Sequence, residues 1–291
     1  MSEYIFIVNP TAGKSKTKEV FPQYEELFKK NNIKYNAIYT NAPGNATILA
    51  KEYAKKDITV VAVGGDGTAN EVAAGLVGSE AYFGIIPLGS GNDIAKSFGI
   101  TKDNALDVLL NGKPYISDLA TVNDKIFLGV ASCGLDSEVN KTANYLSRKL
   151  RFKNVYVIAL FITLIKFKPY HLKINFPDSS IEGEYMLIAV GHGNMYGGGM
   201  LVTPKAKRND GLLDICLVNK ISKLELIKVF PLIFTGKHIE HPKVDYFQVP
   251  YLDIEGEGLI FGDGNELTSL PTKYGFSEYK INVMVPANYY I

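Results

Sequence analysis

The chain has 291 residues, 46% apolar and 21% charged, enough for one large domain or two medium ones with a real core. Lys plus Arg number 31 against 30 Asp plus Glu; the net charge of +1 excludes a nucleic-acid binder that works through a global basic field. Cys133 and Cys216 are isolated and form no CxxC pair, which excludes a disulfide scaffold or zinc finger and fits a cytoplasmic setting.

Tyr4–Val8 is an apolar run that predicts a buried strand, and Val20, Phe21, Tyr24, Leu27 and Phe28 then recur at helical spacing. Strand Tyr35–Tyr39, helix Ala46–Lys56, strand Ile58–Val63, helix Ala69–Val77, strand Phe83–Leu88 and a helix from Asp93 to Phe98 follow. Strands apolar throughout and separated by helices predict an α/β domain with a doubly wound parallel sheet. From about Asp118 the rhythm changes. Strands are expected at Lys125–Ala131, His171–Phe176, Tyr185–Val190, Leu212–Val218, Val244–Val249 and Lys280–Val285, with helices over Leu135–Lys168 (two) and Leu224–Phe234. That pattern predicts a second, antiparallel β domain, with the boundary near residue 120. Nothing at Met1-Ser2-Glu3 has the basic character of a targeting segment. The longest apolar run, Val155–Ile165, has 11 residues, against about 20 for a membrane span. A buried helix is the expectation there, and a lipid-facing surface the sharper alternative.

Val60-Val-Ala-Val-Gly64-Gly65-Asp66-Gly67-Thr68 is the strongest signal: an apolar strand enters three glycines and then a helix. Glycines let a backbone approach a ligand closely, and amides at a helix N-terminus bind phosphate. A plain turn has no need of Asp66, which suits orientation of a metal ion or a ribose hydroxyl. Two other patterns fail. Gly13-Lys14-Ser15 would complete a P-loop only with glycine at Val8, and a dinucleotide fingerprint would need glycine at Asn70 or Ile94. Asn9-Pro10-Thr11-Ala12-Gly13 follows the first strand and Gly89-Ser90-Gly91-Asn92-Asp93 the fourth. Three polar, glycine-bearing loops at carboxyl ends of parallel strands point into one crevice and favour one phosphate-rich ligand.

Together these motifs resemble the bacterial lipid kinases with a diacylglycerol kinase catalytic domain, with sphingosine and ceramide kinases as distant relatives. The likeness continues through Gly134-Leu-Asp136, Gly191-His-Gly-Asn194, Gly197-Gly-Gly-Met200 and Pro204–Asp214, nearly the whole chain. It implies a nucleotide-binding α/β domain over 1–120, rejoined by 283–291, and a β-sandwich-like domain over 121–282, with the active site between them. It implies ATP as phosphoryl donor, contacted by Asn9, Pro10, Thr11, Ala12, Gly13, Thr40, Gly65, Asp66, Gly67, Thr68, Ala69, Asn70, Glu71 and Ser90. Asp66, Asp93 and Asp118 match acidic positions around the phosphates and a catalytic Mg²⁺. A second, structural metal would be held by the Asp210 carboxylate and the carbonyls of Lys207 and Leu212, a hard-cation donor set. The implied partner is a lipid substrate at a membrane surface, for a cytoplasmic or peripheral enzyme without a transmembrane segment, with a homodimer as the assembly to test.

The likeness departs from the family near the C-terminus, where the family carries Asp-Gly-Glu. Spacing to Pro271 and Pro286 aligns Asp263 with the proton-accepting Asp and puts Asn265 at the Glu; Glu266 is the competitor after a one-residue shift. A lysine of some relatives is replaced by Ala159. His192 is the one histidine expected to reach the site, and His238 and His241 are expected at an exposed helix end or loop. Arg148, Lys149, Arg151 and Lys153 form a basic group before the apolar run. The rival readings are an NAD kinase, which shares Gly-Gly-Asp-Gly, and a catalytically weak nucleotide- or lipid-binding protein, suggested by Asn265.

Overall fold

The computed structural model describes residues 3–13, 17–149 and 155–289. Arg151 and Lys153, and the side chains of Arg148 and Lys149, lie outside the described residues. The first region runs β1 (Glu3–Val8), α1 (Thr17–Lys30), β2 (Tyr35–Tyr39), α2 (Asn45–Glu52), β3 (Ile58–Gly64), α3 (Asp66–Leu76), β4 (Tyr82–Pro87), α4 (Asp93–Ser97), α5 (Ala105–Asn111) and β5 (Lys113–Ser117). The second runs β6 (Ala120–Val122), β7 (Lys125–Phe127), β8 (Val130–Gly134), α6 (Leu135–Lys149), α7 (Val155–Lys166), β9 (Tyr170–Asn175), β10 (Ser180–Gly191), β11 (Leu213–Asn219), α8 (Lys223–Val229) and β12 (Val244–Val249). It closes with β13 (Leu252–Gly256), β14 (Leu259–Gly262), β15 (Asn265–Ser269), β16 (Thr272–Phe276) and β17 (Ile281–Val285).

The first sheet has the order β2-β1-β3-β4-β17-β5 and is parallel except for β5, which runs against β17. Phe6, Ile7, Val60, Val61, Val63, Phe83 and Ile86 are fully buried, as strands covered by helices on both faces require. Register pairs Val8 with Val63 and Gly64 with Pro87, so β1, β3 and β4 end side by side and their loops emerge on one edge. The Lys280–Val285 strand, placed by its pattern in the second region and by the family resemblance, from 283 on, in the first, pairs within this first sheet: its apolar residues fill the gap between β4 and β5.

The second sheet has eleven strands and is antiparallel. Strand β10 organises it: residues 180–185 pair with β9, and the carboxyl half lies between β8 and β11. The expected strand Lys125–Ala131 is broken at Leu128 and Gly129, whose amides leave the ladder to bind the Asp263 carboxylate. The expected buried helix at Val155–Ile165 is instead two-faced. Ala159 and Leu164 are buried, whereas Ile158, Ile162 and Ile165 are exposed, a stripe at helical spacing. No described helix is long and apolar enough to cross a membrane.

Candidate active site

Three loops at the carboxyl edge of the first sheet are bonded into one cradle. Gly64 carbonyl accepts from Leu88 N (2.8 Å) and Gly89 N (2.9 Å). A Cβ on Gly89 would stand 2.3 Å from Gly65 Cα, so the two loops touch backbone to backbone because both positions are glycine. Asn9 Nδ2 donates to Thr68 Oγ1 (3.0 Å), and Asn9 Oδ1 accepts from Thr11 N (3.0 Å), which ties the first loop to the start of α3. Helix α3 begins at Asp66, three residues earlier than its apolar pattern, so its free amides face the crevice.

Three carboxylates line the cleft above this cradle. Asp66 Oδ1 accepts from Ile94 N (2.8 Å), and Asp93 Oδ2 accepts from Gly198 N (2.6 Å), a bond that crosses to the second region. A Cβ at Gly91 would lie 3.1 Å from Asp66 Oδ2 and 3.2 Å from Asp93 Oδ2, so both acids converge beside that glycine. Burial raises the Asp66 pKa, the Ile94 amide opposes, and the Asp93 charge adds to the rise. Asp263 sits in the β14–β15 turn at a left-handed φ of 50°. Its Oδ2 accepts from Leu128 N (2.7 Å) and from Asn70 Nδ2, and its Oδ1 from Gly129 N (2.9 Å). Burial nevertheless pushes its pKa up to about 6; the Leu128 amide and Asn70 hold it down, and the Asp66 charge adds to the rise. Glycine at 129 lets this carboxylate come close, since a Cβ there would lie 2.6 Å from Asp263 Oδ1.

A cavity of about 700 Å³ starts at Asp66, Asp93 and Asp263 and runs into the second region between α6, α7 and α8, past Leu164, Met186, Met200, Val202 and Ile233. Its polar exceptions include Ser132, Asp136 and Tyr196, bonded to one another through the carboxylate of Asp136. A second cavity, about 600 Å³, lies on the other side of the Gly89 loop between Gly13, Tyr24, Leu27, Lys102 and Leu106. Ser90 lines both.

Of the residues expected to bind nucleotide, Asn9–Gly13, Gly65–Thr68 and Ser90 lie on the cradle, and Thr40 ends β2 beside it, its amide bonded to Val8 carbonyl. Asn70 reaches Asp263 instead. Ala69 is buried, and Glu71 accepts from Ala46 N (3.2 Å) at the start of α2. Glu266 does not line the cleft: it and Asn265 are both exposed, but strand alternation puts them on opposite faces, and only Asn265 stands against Gly67. Asp118 does not line the cleft; it pairs with Lys280 (2.9 Å), which also bonds Asn209 in the Lys207–Leu212 turn. In that turn Asp210 Oδ1 accepts from Leu212 N (3.0 Å). Nearby Asp214 is fully buried, its Oδ2 is without a partner, and burial followed by the Asp210 charge pushes its pKa up to about 6. His192 does not open to the cleft; it is buried beside Arg208, its pKa lowered by burial and then by that charge. His238 is buried rather than exposed and bonds Val202 carbonyl. Leu128, Gly129, Gly198, Ser97 and Arg208 were missed. The first three act through backbone amides, which leave no side-chain signature.

Residues 3–122 match the diacylglycerol kinase catalytic domain, and residues 129–285 match the YegS C-terminal NAD kinase beta sandwich-like domain. A diacylglycerol kinase of Mycobacterium tuberculosis is 32% identical over 249 residues, covering 82% of this chain and 80% of its own. One from Staphylococcus haemolyticus is 29% identical and covers 98% of this chain and 88% of its own. A solved diacylglycerol kinase structure from Bacillus anthracis superposes with a TM-score of 0.72 at 22% identity, covering 98% and 97% of the two chains, which shows a shared fold. A glycine-rich cradle on a parallel sheet, faced by an acid from a β-sandwich-like unit, here belongs to a kinase. The chain is a member of the diacylglycerol kinase family.

Proposed function

We propose that this chain is an ATP-dependent lipid kinase that transfers the γ-phosphoryl group to a lipid hydroxyl, on diacylglycerol or a related lipid. The observation that carries this reading is the long apolar cavity ending at Asp66, Asp93 and Asp263. An acyl chain fits such walls, whereas the polar dinucleotide acceptor of an NAD kinase does not. The triphosphate lies on the amides of the three-loop cradle. The acceptor hydroxyl attacks the γ-phosphorus, the bond to the β-phosphate oxygen breaks, and the proton passes to Asp263 as ADP leaves. Asp263 is set for that task by its raised pKa of about 6. Asn265 beside Gly67 takes the place of a second acid and leaves Asp263 as the acceptor.

Among the described residues no three of His, Cys, Asp and Glu form a metal cage. Two converging carboxylates still fit Mg²⁺, which usually takes one or two acids and fills its shell with phosphate oxygens and water. Asp66 and Asp93 would hold it, and it supplies charge neutralisation for the phosphates. Asp210, with the carbonyls of Lys207 and Leu212, would hold a second hard cation, and the unpartnered Asp214 oxygen supports a positive charge nearby.

The lipid is met at a membrane surface. Ile165 is 71% exposed and Leu224 76% exposed; Lys223 Nζ bonds Ile165 carbonyl and joins α7 to α8. Ile227 and Phe234 are exposed and also line the cavity, so apolar side chains flank its mouth. Transfer of radiolabel from [γ-³²P]ATP to a panel of lipids in mixed micelles, with NAD in parallel, tests the function. Label on a lipid and none on NAD is expected; label on NAD alone overturns it.

A further inference from the structure

Arg208 lies in the turn between β10 and β11 and is only 4% exposed. A buried guanidinium is costly unless its donors are met. Among the described residues it has no ion pair and its Nε has no partner, and polar groups from three separate segments meet its two terminal nitrogens. Nη2 donates to Ser97 Oγ (2.7 Å) and to Leu128 carbonyl (2.7 Å), and Nη1 stands 3.2 Å from His192 Nδ1. The guanidinium also covers the Phe98 ring, 3.9 Å from its centroid. Gly193 leaves room for this arrangement, since a Cβ there would lie 3.0 Å from Nη2.

Both partners of Nη2 lead to acids of the cleft. Ser97 closes α4, the helix that opens with Asp93; its hydroxyl donates to Ile94 carbonyl (2.7 Å), and Ile94 N donates to Asp66. Leu128 lends its carbonyl to Arg208 and its N–H to Asp263, and Gly129 N holds the other Asp263 oxygen. One nitrogen therefore touches the helix that carries Asp93 and bonds Asp66 through Ile94 N, and the peptide that seats Asp263.

We infer that Arg208 is a positioning residue for phosphoryl transfer: it fixes Asp263 relative to Asp66 and Asp93 without touching either substrate. This rests on the kinase reading of the cleft. A planar fork can serve both walls at once, whereas a lysine ammonium keeps the charge and loses that geometry. A misplacement of about 1 Å at a reacting centre is enough to cost about 10²-fold in rate.

The variants Arg208→Lys, Ser97→Ala and the double variant test it, read by kcat, nucleotide Kd and amide hydrogen exchange. Arg208→Lys should lower kcat by about 10²-fold with nucleotide Kd unchanged. Exchange should quicken at Ile94 and at Leu128–Gly129 together, and not across the remaining core. Ser97→Ala, which leaves the guanidinium in place, should lower kcat by about tenfold, and the double variant should be no worse than Arg208→Lys, because both break one bridge. Arg208→Lys at parental kcat, additive losses, or unchanged exchange at the two segments overturns the inference. If Arg208→Lys does not fold, Ser97→Ala decides alone, and parental kcat with parental exchange overturns it. If the parent chain labels no lipid, yet the variants quicken exchange at both segments together, the kinase reading fails and the clamp stands.

Discussion

Asp263→Asn separates chemistry from folding at the acceptor end of the cleft. Three donors point at this carboxylate: Leu128 N at 2.7 Å, Gly129 N at 2.9 Å and Asn70 Nδ2. An asparagine offers one oxygen and one NH₂, so whichever way it turns, an N–H faces a backbone N–H. One unmet donor costs about 1–3 kcal/mol. Against this stands the cost of the ionised acid. Its pKa is raised to about 6 in the folded chain, above its unfolded value, so ionisation weakens the fold as pH rises through that range. At neutral pH that cost is about 1–3 kcal/mol, and the neutral amide escapes it. The two effects offset, and asparagine also tolerates the left-handed backbone at this position. The melting temperature should therefore stay within a few degrees of the parent, while kcat falls by at least about 10²-fold, the lower range for loss of a general base. Steady-state transfer to lipid, differential scanning calorimetry and nucleotide titration read the three quantities. A variant with parental kcat refutes the assignment. A variant whose kcat loss matches its loss of folded protein refutes the reasoning about the offset. Glu266→Gln is the control: the side chain is exposed and outside the cleft, so its kcat should stay within about twofold.

The pH profile of kcat/KM should carry an acid limb near pH 6, tenfold per unit below it, because Asp263 must be ionised to take a proton; a limb near 4 would mean that burial does not govern it. Asp66→Ala should lose at least about 10²-fold in kcat with a near-parental melting temperature, since it removes an acid whose pKa burial raises; near-normal turnover would take Asp66 out of the mechanism. Asp210→Ala should abolish the part of the Mg²⁺-dependent rise in melting temperature that arises at this turn; an equal rise in variant and parent would place the ion elsewhere. Ile165→Asp with Leu224→Asp should lower binding to lipid vesicles by about tenfold or more and spare transfer to a monomeric short-chain lipid, as charge on an exposed apolar rim would; unchanged vesicle binding would move the docking face.

Much of the cradle was legible because its causes are local. Apolar, β-branched runs alternating with helical patterns require a parallel sheet with helices on both faces, and parallel strands end on one edge. Glycine-bearing loops after Val8, Val63 and Pro87 therefore had to meet. The break at Leu128 and the start of α3 at Asp66 were not legible, because apolar spacing says nothing of amides withdrawn from a ladder or freed at a helix end. Asp263 sits in a left-handed turn, and Asn265 and Glu266, one residue apart in sequence, lie on opposite faces of β15; motif spacing carries neither fact. The apolar cavity was out of reach as well: Val155–Ile165 shows that a helix is apolar, and packing alone decides which of its sides lines a channel and which side faces outward. Arg208 marks the limit most clearly. In a polar turn between Lys207 and Asn209 it has every local reason to be solvated; its partners Ser97 and Leu128 stand 111 and 80 residues away, and only the closing of one sheet against the other brings them to a single nitrogen.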